Sequence, residues 1–550
     1  MKTKLILLLI FFIAIFLRFY NISINPPSLT WDEAAWGYNA YSIGIDGRDE
    51  FGRFLPITYL ESFGDYKPPV YAYLSVLPVK IFGLNEFSTR FASAFLGSLT
   101  VIFAYFLTYE IFYDDKKKQN KNEARNIALI TSIMLAISPW HILLSRAAFE
   151  ANVATFFIIL GVFLFFKSIN NSKRWLLILS VISLIISMYT FNTARIVSPF
   201  LFLALVIKNS KILFESKKES IISIIVGVIL LVPLALFLVT PQAKLRFQEV
   251  NIFSDVNVIE RVNQEIKNDN NVFWSKIIHN RRFAFSIEYL RHYFDNLSPS
   301  FLFIKGDGNP KFSIQDVGQM YIWEVPFFTA GIFLLIRKRN KNSWFIFYWL
   351  LLSIIPAAIA RETPHALRIE SSLPTFQIIS ALGLCNFIFF INSNFKKYNL
   401  SKIIFVTLFL IIAFNFLYFI NNYFYHYPRI YSGEWQYGYK DAISYINNVE
   451  KKYDNIYFTN VLGRPYIYML FYGKYSPVQF REEAKIRREA FGFVHIDGFG
   501  KYHFVDNTNS LFPKENNLYI DVPGNIPSSA TILKNFYLLN GKKVLSAYIM

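Results

Sequence analysis

Long apolar runs separated by short polar segments dominate the first 420 residues of this chain. A helix needs ~20 mostly apolar residues to cross a bilayer, so such runs predict membrane-spanning helices. The pattern therefore predicts an all-α polytopic membrane protein with about eleven spans. The runs lie at 5–20, 88–113, 127–144, 153–168, 175–190, 194–207, 221–239, 321–336, 343–360, 371–391 and 402–420.

The polar segments between the runs alternate in charge. Lys2 and Lys4 precede the first run, and alternate loops carry basic stretches such as DDKKKQNKNEAR, RKRNKN and NFKKYNLSK. The positive-inside rule makes this the cytoplasmic side and accounts for the net charge of +18 without nucleic-acid binding. We expect a multi-pass protein of the cytoplasmic membrane, with its N-terminus inside and, after an odd number of spans, its C-terminus outside.

Composition also limits the class of protein and the kinds of site that this chain can contain. With 54% hydrophobic residues, the chain is too apolar for a soluble protein. No small-x-small site follows the first run, which predicts an uncleaved span rather than a signal peptide. The lone Cys385 lies inside a predicted span, which excludes disulfides and cysteine-based metal sites.

This topology places six segments outside the cytoplasm: 21–87, turns near 145–152 and 190–195, 240–320, 361–370 and 421–550. The last of these changes in character. GYKDAISYINNVEKKY has helical spacing, while NIYFTN, NLYIDV and KVLSAYIM have strand patterns. We predict a small extracytoplasmic α/β domain over 421–550, of ordinary domain size, following a membrane domain over 1–420.

Two adjacent carboxylates lie a short way after the first span, in LTWDEAAWGY. Asp32 could cap a helix together with Thr30, or the Asp32–Glu33 pair could serve chemistry at the membrane edge. Lys67 follows in GDYKPPVY, where two prolines fix the backbone. It is compatible with a lysine that snorkels to the interface and with a point charge for a phosphate.

The other outer turns carry further charged residues. SPWHILLSRAAFEANV holds Arg146 and Glu150, whose spacing also suits an i,i+4 ion pair. Each arginine alone is compatible with interface anchoring. Several cations on one outer surface, opposite a carboxylate pair, instead favour a site for an anionic lipid head group. The remaining candidates in these turns are Tyr189, Arg195, Arg361, His365 and Arg368.

The order of these motifs resembles a known class of enzyme. DE after the first span, then D-x-K-P-P, R-x-x-x-E and H-x-x-R, is similar to polytopic GT-C glycosyltransferases over roughly residues 5–390. Within that class the chain resembles the protein O-mannosyltransferase and lipid A aminoarabinose transferase group. The resemblance implies a GT-C membrane fold whose first outer loop carries interfacial helices. It also implies transfer of a hexose such as mannose, or a pentose, from a polyprenyl-phosphate donor to an acceptor on the outer face.

The resemblance also implies roles for individual residues. Asp32 would be the catalytic base and Glu33 a supporting acid, while Lys67 would hold the donor phosphate. The expected donor-site residues beside Lys67 are Asp65, Arg146, Glu150, Tyr189, Arg195, His365 and Arg368. One departure is that Tyr66 stands where the aminoarabinose enzymes have an acidic residue before the lysine, which puts a metal site of that type in doubt.

The chemistry suits these residue types. A base takes the proton of the acceptor hydroxyl, and cations stabilise the departing lipid phosphate. A single attack inverts the anomeric carbon, and adjacent residues such as Asp32 and Glu33 rarely reach one atom, which disfavours a covalent intermediate. No cofactor is indicated. A divalent metal is compatible, but His279 and His292 are lone histidines of the kind that is more often structural.

Two alternatives of other classes stay open. A transporter or flippase for lipid-linked sugars would favour mid-membrane charges and paired repeats, neither of which is evident. A glycan-binding membrane receptor would not require Asp32 or Lys67. The acceptor also stays open among a lipid, a glycan and a protein.

Overall fold

The computed structural model describes residues 2–113, 121–171, 173–244, 251–337, 342–395, 400–489, 494–510 and 516–550. Every predicted span coincides with a helix, which confirms the helical fold class. Parts of the predicted basic loops, at 114–120, 338–341 and 396–399, lie outside the described residues. The helices at the predicted spans are Lys2–Phe19, Glu86–Phe112, Lys121–Ile137 with Pro139–Arg146, Glu150–Asn170, Leu176–Met188, Ala194–Lys208, Lys217–Leu238, Val325–Arg337, Ser343–Ala358, Thr375–Asn394 and Leu400–Asn421. Further helices between them are Ser210–Glu215, Val256–Asn268, Phe273–Ile278 and Arg281–Asp295.

Fewer helices than eleven meet the length needed to cross a bilayer. Among the described residues, five do so by length and composition, or six if one bent pair counts as a span. Leu176–Met188 has 13 residues. At 1.5 Å per residue it rises only ~20 Å, short of a ~30 Å hydrocarbon core. The chain is thus multi-pass, and the count of eleven spans stays a prediction.

The bent pair corresponds to the predicted single span at 127–144. Lys121–Ile137 and Pro139–Arg146 meet at an angle of 54°. Pro139 lacks an N–H for the preceding turn and disfavours helical backbone at Ser138. Hydropathy did not indicate this break, because one proline changes the average hydropathy of the run at 127–144 too little to divide it.

Two apolar helices cross at unusually short range. A Cβ built on Gly331 in Val325–Arg337 would lie 1.9 Å from the Ile379 carbonyl oxygen. One built on Gly383 in Thr375–Asn394 would lie equally close to the Phe327 carbonyl oxygen. Only glycine fits at both positions, as expected where small residues let membrane helices approach closely.

The chain divides into two compact units. The first unit comprises Met1–Leu17, Leu96–Ser145 and Glu150–Phe419. The second unit comprises Arg18–Phe95, Arg146–Phe149 and Ile420–Met550. The second unit thus joins the first outer loop to the C-terminal segment. The predicted functional division at residue 420 stays a prediction.

Within the second unit, the outer loop contains two helices and a short hairpin. We name the helix Trp31–Asp46 the first-loop helix, and the strands Leu60–Ser62 and Asp65–Lys67 the first-loop hairpin. The helix Val70–Phe82 follows directly after Pro69. Two helices agree with the predicted helical loop, whereas the hairpin was not predicted because its strands have only three residues each.

The C-terminal segment, residues 432–550, folds as the predicted α/β structure. Its helices are Tyr439–Val449, Pro465–Tyr472 and Pro477–Glu483. Strand Asn455–Thr459 pairs in parallel with both of its neighbours, and the outer pairs are antiparallel. The seven strands run across the sheet in the order Lys485–Arg488, Val494–Phe499, Tyr502–Val505, Asn455–Thr459, Asn517–Asp521, Lys543–Ile549 and Thr531–Tyr537.

One hydrophobic core joins the first-loop helix to the C-terminal segment. Ala34 and Tyr38 of the helix are buried in the same cluster as Tyr468 and Phe471. The contact is close at Gly37, where a Cβ would lie 2.5 Å from the Phe471 ring. The start of the first-loop helix, where the two carboxylates lie, is therefore held by packing as well as by its own hydrogen bonds.

Candidate active site

The helix that carries Asp32 and Glu33 begins with a capping box. The Thr30 side chain accepts a hydrogen bond from the Glu33 N–H, and the Glu33 carboxylate accepts one from the Thr30 N–H. This pairing satisfies two N–H groups at the helix start. The capping residues are thus Thr30 and Glu33, which leaves the Asp32 carboxylate to make other contacts.

Asp32 and Lys67 form an ion pair. The Lys67 ammonium donates to Asp32 Oδ1 across 35 residues of sequence. The Asp32 side chain is 48% exposed and the Lys67 side chain 12%. An open carboxylate and a sheltered cation thus meet at the start of the first-loop helix.

Aromatic rings hold the Lys67 ammonium in place. Its Nζ lies 5.4 Å from the ring centres of both Trp36 and Phe63, within cation–π range. Trp36 is one helical turn after Asp32, so both lie on the same helix face. Asp65, opposite Ser62 in the first-loop hairpin, accepts a hydrogen bond from the Tyr66 N–H at 2.9 Å.

Glu33 lies in the opposite environment to Asp32, fully buried. Its Oε1 accepts from Arg90 Nε at 2.8 Å and from the Ala148 N–H at 2.9 Å. Its Oε2 accepts from Arg90 at 3.2 Å in addition to the capping bond. Arg90 is also fully buried and donates to the carbonyl oxygens of Ile22, Pro26 and Ser28.

Sequence reasoning missed Arg90. The signal was an arginine inside the apolar run at 88–113, since a charge in such a run is costly unless it is paired. Two adjacent carboxylates are thus separated by environment, one facing solvent and one locked to a buried guanidinium.

Arg146 is buried and bound to backbone oxygens. It donates to the Tyr423 hydroxyl at 3.2 Å and to the carbonyl oxygens of Tyr20 and Asn25 at 2.7 Å each. Arg146 is the last residue of one helix and Glu150 the first of another, so they do not share one continuous helix, and their ion pair stays a prediction. Arg146 connects the chain entering the first loop to Tyr423.

Two further buried carboxyls lie in the turn after the first-loop helix. Glu50 accepts a hydrogen bond from the Ser62 hydroxyl at 3.3 Å, and Asp49 accepts from the backbone N–H groups of Phe51 and Arg53. Burial raises the pKa of Glu50 well above its usual value, and the neighbouring Asp49 raises this pKa further. A carboxyl with so high a pKa keeps its proton more readily than an exposed one.

Tyr189 and Arg195 lie in the first unit, where both contact backbone. The Tyr189 hydroxyl donates to the Leu230 carbonyl oxygen at 2.7 Å and accepts from the Leu234 N–H at 3.1 Å. It thereby bridges two groups that pair in a regular helix, beside the interruption at Pro233. Arg195 donates to the Met188 carbonyl oxygen at 3.3 Å.

His365 and Arg368 lie in the loop at 361–370, also in the first unit. The His365 ring packs 4.8 Å from that of Phe312, and burial lowers the pKa of this imidazole well below its usual value. Arg368 donates to the Glu362 carbonyl oxygen at 3.1 Å. Asp307, which sequence reasoning missed, accepts from the Ala366 N–H at 2.6 Å, and burial raises its pKa to about 6.

Glu150 and Glu370 bring two carboxyls together in the first unit. Glu370 is fully buried, and neither of its carboxyl oxygens has a partner among the described residues. Burial raises the Glu370 pKa well above its usual value, and the charge of Glu150 raises it further. Sequence reasoning named Glu150 but missed Glu370.

The two histidines weighed as metal ligands have protein partners. His279 contacts Glu265 and Asp269, and His292 contacts the Ala360 carbonyl oxygen at 2.8 Å. Across the described ranges, no group of three or more His, Cys, Asp and Glu side chains is arranged to hold a metal ion.

Comparison with known proteins supports the resemblance given by the motifs. The family model of dolichyl-phosphate-mannose-protein mannosyltransferases matches residues 8–251, which is under half of the chain. A protein of Aquifex aeolicus (strain VF5) is 29% identical over 194 residues. That match covers 35% of each chain, so this protein aligns with about a third of the relative's length.

Two solved structures share the fold along nearly the whole chain. They are crystal structures of ArnT from Cupriavidus metallidurans, one in the apo state and one bound to undecaprenyl phosphate. Each has 11% sequence identity, a TM-score of 0.52, and coverage of 99% of this chain and 97% of the other. The predicted resemblance to GT-C glycosyltransferases and the predicted fold class are confirmed.

Proposed function

We propose that this protein is an integral-membrane glycosyltransferase that moves a sugar from a polyprenyl-phosphate donor to an acceptor on the outer face. The observation that carries the proposal is the ion pair between Asp32 and Lys67. It brings a solvent-facing carboxylate and a sheltered cation together at the start of one helix. The GT-C fold and the match to a mannosyltransferase family model support the same reaction class.

Asp32 is the base in this proposal. Its carboxylate takes the proton of the acceptor hydroxyl while the hydroxyl oxygen forms a bond to the anomeric carbon of the sugar. The bond from that carbon to the phosphate oxygen breaks, and its electron pair leaves with the polyprenyl phosphate. Because Glu33 is buried on Arg90, only one of the two adjacent carboxylates can face the substrate, which favours a single, inverting attack.

Lys67 stabilises the leaving phosphate. An ammonium positioned by Trp36 and Phe63 needs little reorganisation when charge develops on the phosphate oxygens. On donor binding, the phosphate shares Lys67 with Asp32. That exchange weakens the hold of Lys67 on the carboxylate and makes Asp32 a better proton acceptor.

Glu33 and Arg90 position the site rather than react. Their buried pair fixes the start of the first-loop helix, and a base placed within hydrogen-bond reach of its proton is what the reaction needs. The participation of Glu150, Tyr189, Arg195, His365 and Arg368 stays a prediction from the resemblance.

The relatives and the charge pattern support a proposal for the donor and for the membrane orientation. The description of the matched family names dolichyl-phosphate-mannose, and one ArnT structure holds undecaprenyl phosphate. We therefore propose a polyprenyl-phosphate-linked hexose such as mannose, or a pentose, as donor. The acceptor is a lipid, a glycan or a protein outside the cytoplasmic membrane.

The test is sugar transfer from radiolabelled polyprenyl-phosphate sugars to membrane fractions. We expect Asp32→Asn to reduce turnover by about 100-fold or more, since a general base contributes about that much. Asp46→Asn is the matched control. Asp46 is a carboxylate at the far end of the same helix, ion-paired to Arg481, and its loss should leave transfer nearly unchanged.

The other outcomes separate the alternatives. Equal transfer by wild type and Asp32→Asn would remove Asp32 as the base. Donor movement across a bilayer without any transfer would favour a flippase, and binding of free glycan without transfer would favour a receptor.

A further inference from the structure

Three arginines of the C-terminal segment contact the first loop within the second unit. Arg481 forms an ion pair with Asp46 at the end of the first-loop helix. Arg488 forms another with Glu61 in the first-loop hairpin. The third, Arg464, lies beside the hairpin tip and has no carboxylate partner among the described residues.

Arg464 and Lys67 approach the same aromatic ring. The Arg464 guanidinium carbon lies 4.7 Å from the centre of the Phe63 ring, and Lys67 Nζ lies 5.4 Å from that centre. The two cations are thus no farther apart than the sum of these distances. The oxygens of a phosphate group accept hydrogen bonds in several directions, so one phosphate can pair with two cations that stand beside the same ring.

Backbone contacts hold Arg464 in this place. The guanidinium donates to the Val494 carbonyl oxygen at 3.2 Å, and the Val494 N–H donates to the Phe63 carbonyl oxygen at 3.3 Å. Arg464 itself has a φ of 54°, in the left-handed region that a non-glycine residue adopts only at a cost. Its geometry is therefore fixed before any ligand arrives.

The residue before Arg464 contacts the start of the first-loop helix. A Cβ on Gly463 would lie 3.1 Å from the Trp31 ring, and Trp31 precedes Asp32. The segment with Arg464 thus reaches the helix turn that carries the candidate base, as well as the hairpin that carries Lys67.

The charges around Lys67 explain why a second cation would help to bind a phosphate. Lys67 already pairs with Asp32, so a phosphate that arrives at Lys67 competes with a carboxylate for one ammonium. A guanidinium without a carboxylate partner offers the phosphate a planar pair of donors that Lys67 cannot supply.

We propose that Arg464 is a second phosphate-binding residue of the donor site, contributed by the C-terminal segment. This inference rests on the proposed function, because the phosphate is that of the polyprenyl donor and of the polyprenyl phosphate left after transfer. It gives the C-terminal segment a direct part in substrate binding.

The test is binding of undecaprenyl phosphate to the purified full-length protein in detergent, measured as Kd. We compare Arg464→Met with Arg464→Lys, since both keep an unbranched stem against Phe63 and only the second keeps the charge. The methionine variant should bind about 10- to 100-fold more weakly than wild type, the range for a lost charge-assisted contact. The lysine variant should recover much of that loss.

Arg488→Met is the matched control, because Arg488 also fastens the first-loop hairpin but does not contact Phe63 among the described residues. It should keep wild-type affinity. Equal weakening of Arg464→Met and Arg488→Met would mean that both arginines only hold the hairpin, which overturns the proposal. Equal binding by the lysine and methionine variants overturns it as well, because the charge would then play no part.

The outcomes also distinguish a failure of this inference from a failure of the proposed function. If wild type binds the lipid phosphate and Arg464→Met binds it equally well, the inference fails and the glycosyltransferase stands. If wild type binds no polyprenyl phosphate at all, both fail. A melting curve for each variant shows whether a loss of affinity reflects unfolding. If Arg464→Met does not fold, Arg464→Gln replaces it as the uncharged variant, and affinity equal to that of wild type overturns the proposal.

Discussion

Asp32 and Glu33 are neighbours in sequence with opposite surroundings, and residues far along the chain create the difference. Asp32 meets Lys67 and remains open to solvent, whereas Glu33 meets Arg90 in the interior. Burying two charges is costly, and an ion pair offsets that cost only when its hydrogen bonds are complete. Glu33 meets this condition through Arg90, Ala148 and Thr30.

This burial predicts a stability effect for Glu33→Gln. The amide cannot balance the Arg90 charge, and a buried charge without its partner costs about 3–5 kcal/mol. We expect a large fall in melting temperature in detergent, with activity lost in proportion to folded protein. Asp497→Asn is the control, since it breaks the exposed pair of Asp497 with Arg487 and should change little.

A different result for Glu33→Gln would restore the catalytic role implied by the resemblance. In that case the variant would melt like wild type but transfer sugar far more slowly. The stability and the turnover number, measured on the same preparation, distinguish these outcomes.

Individual residues also show which contacts of the candidate site can be predicted from the sequence and which cannot. The pairing of Thr30 with Glu33 follows the capping-box spacing and is predictable from the sequence, although the alternative considered there was a cap formed by Thr30 and Asp32. The Glu33–Arg90 pair could not, because 57 residues separate the partners and nothing local indicates which carboxylate meets the arginine.

At the scale of helices and strands, hydropathy located helical structure at every predicted span because apolar runs have a clear signature. It did not locate the break at Pro139, nor the first-loop hairpin, whose three-residue strands are too short to show alternation. Four strands of the C-terminal sheet were also missed. Lys485–Arg488, for example, is exposed along its whole length and so lacks an apolar face.

The close crossing of Val325–Arg337 and Thr375–Asn394 gives a prediction at this scale. Gly331→Ala should lower the melting temperature markedly, because the new methyl group meets the Ile379 carbonyl oxygen at 1.9 Å and the two backbones must separate. Overpacking of this kind costs about 1–3 kcal/mol. Melting of the purified protein in detergent measures the shift.

Gly227→Ala is the matched control for that crossing. Gly227 also lies in an apolar helix, but its nearest neighbour would be a Val181 side-chain carbon at 3.3 Å, which needs only a small adjustment. Its melting temperature should change little or rise, since alanine favours helix over glycine by about 1 kcal/mol. Equal losses in both variants would mean that the crossing is not specially tight.

At the scale of the whole molecule, each compact unit combines segments that are far apart in the sequence. The first outer loop and the C-terminal segment share one hydrophobic core, although residues 88–431 lie between them in the sequence. Composition shows where the C-terminal segment begins but not what it packs against. That pairing depends on surfaces formed only after folding, which is why the sequence suggested a separate terminal domain.

The shared core predicts what truncation does. A chain ending at residue 431 keeps Tyr423, the partner of Arg146, but loses Tyr468 and Phe471, which bury the first-loop helix. We expect backbone amides in Trp31–Asp46 to exchange hydrogen much faster in the truncated protein, because local stability follows buried apolar contact. Mass spectrometry of exchange in detergent measures this helix by helix.

The helix Thr375–Asn394, in the first unit, is the internal control and should keep its protection in the truncated protein. If the first-loop helix is equally protected with and without residues 432–550, the segment is an independent attachment and Arg464 has no fixed place beside Lys67. If protection is lost only in Trp31–Asp46 and the first-loop hairpin, the C-terminal segment maintains the geometry of the base and the phosphate-binding lysine. Loss of sugar transfer on truncation would then follow from a disordered site, even with the membrane helices intact.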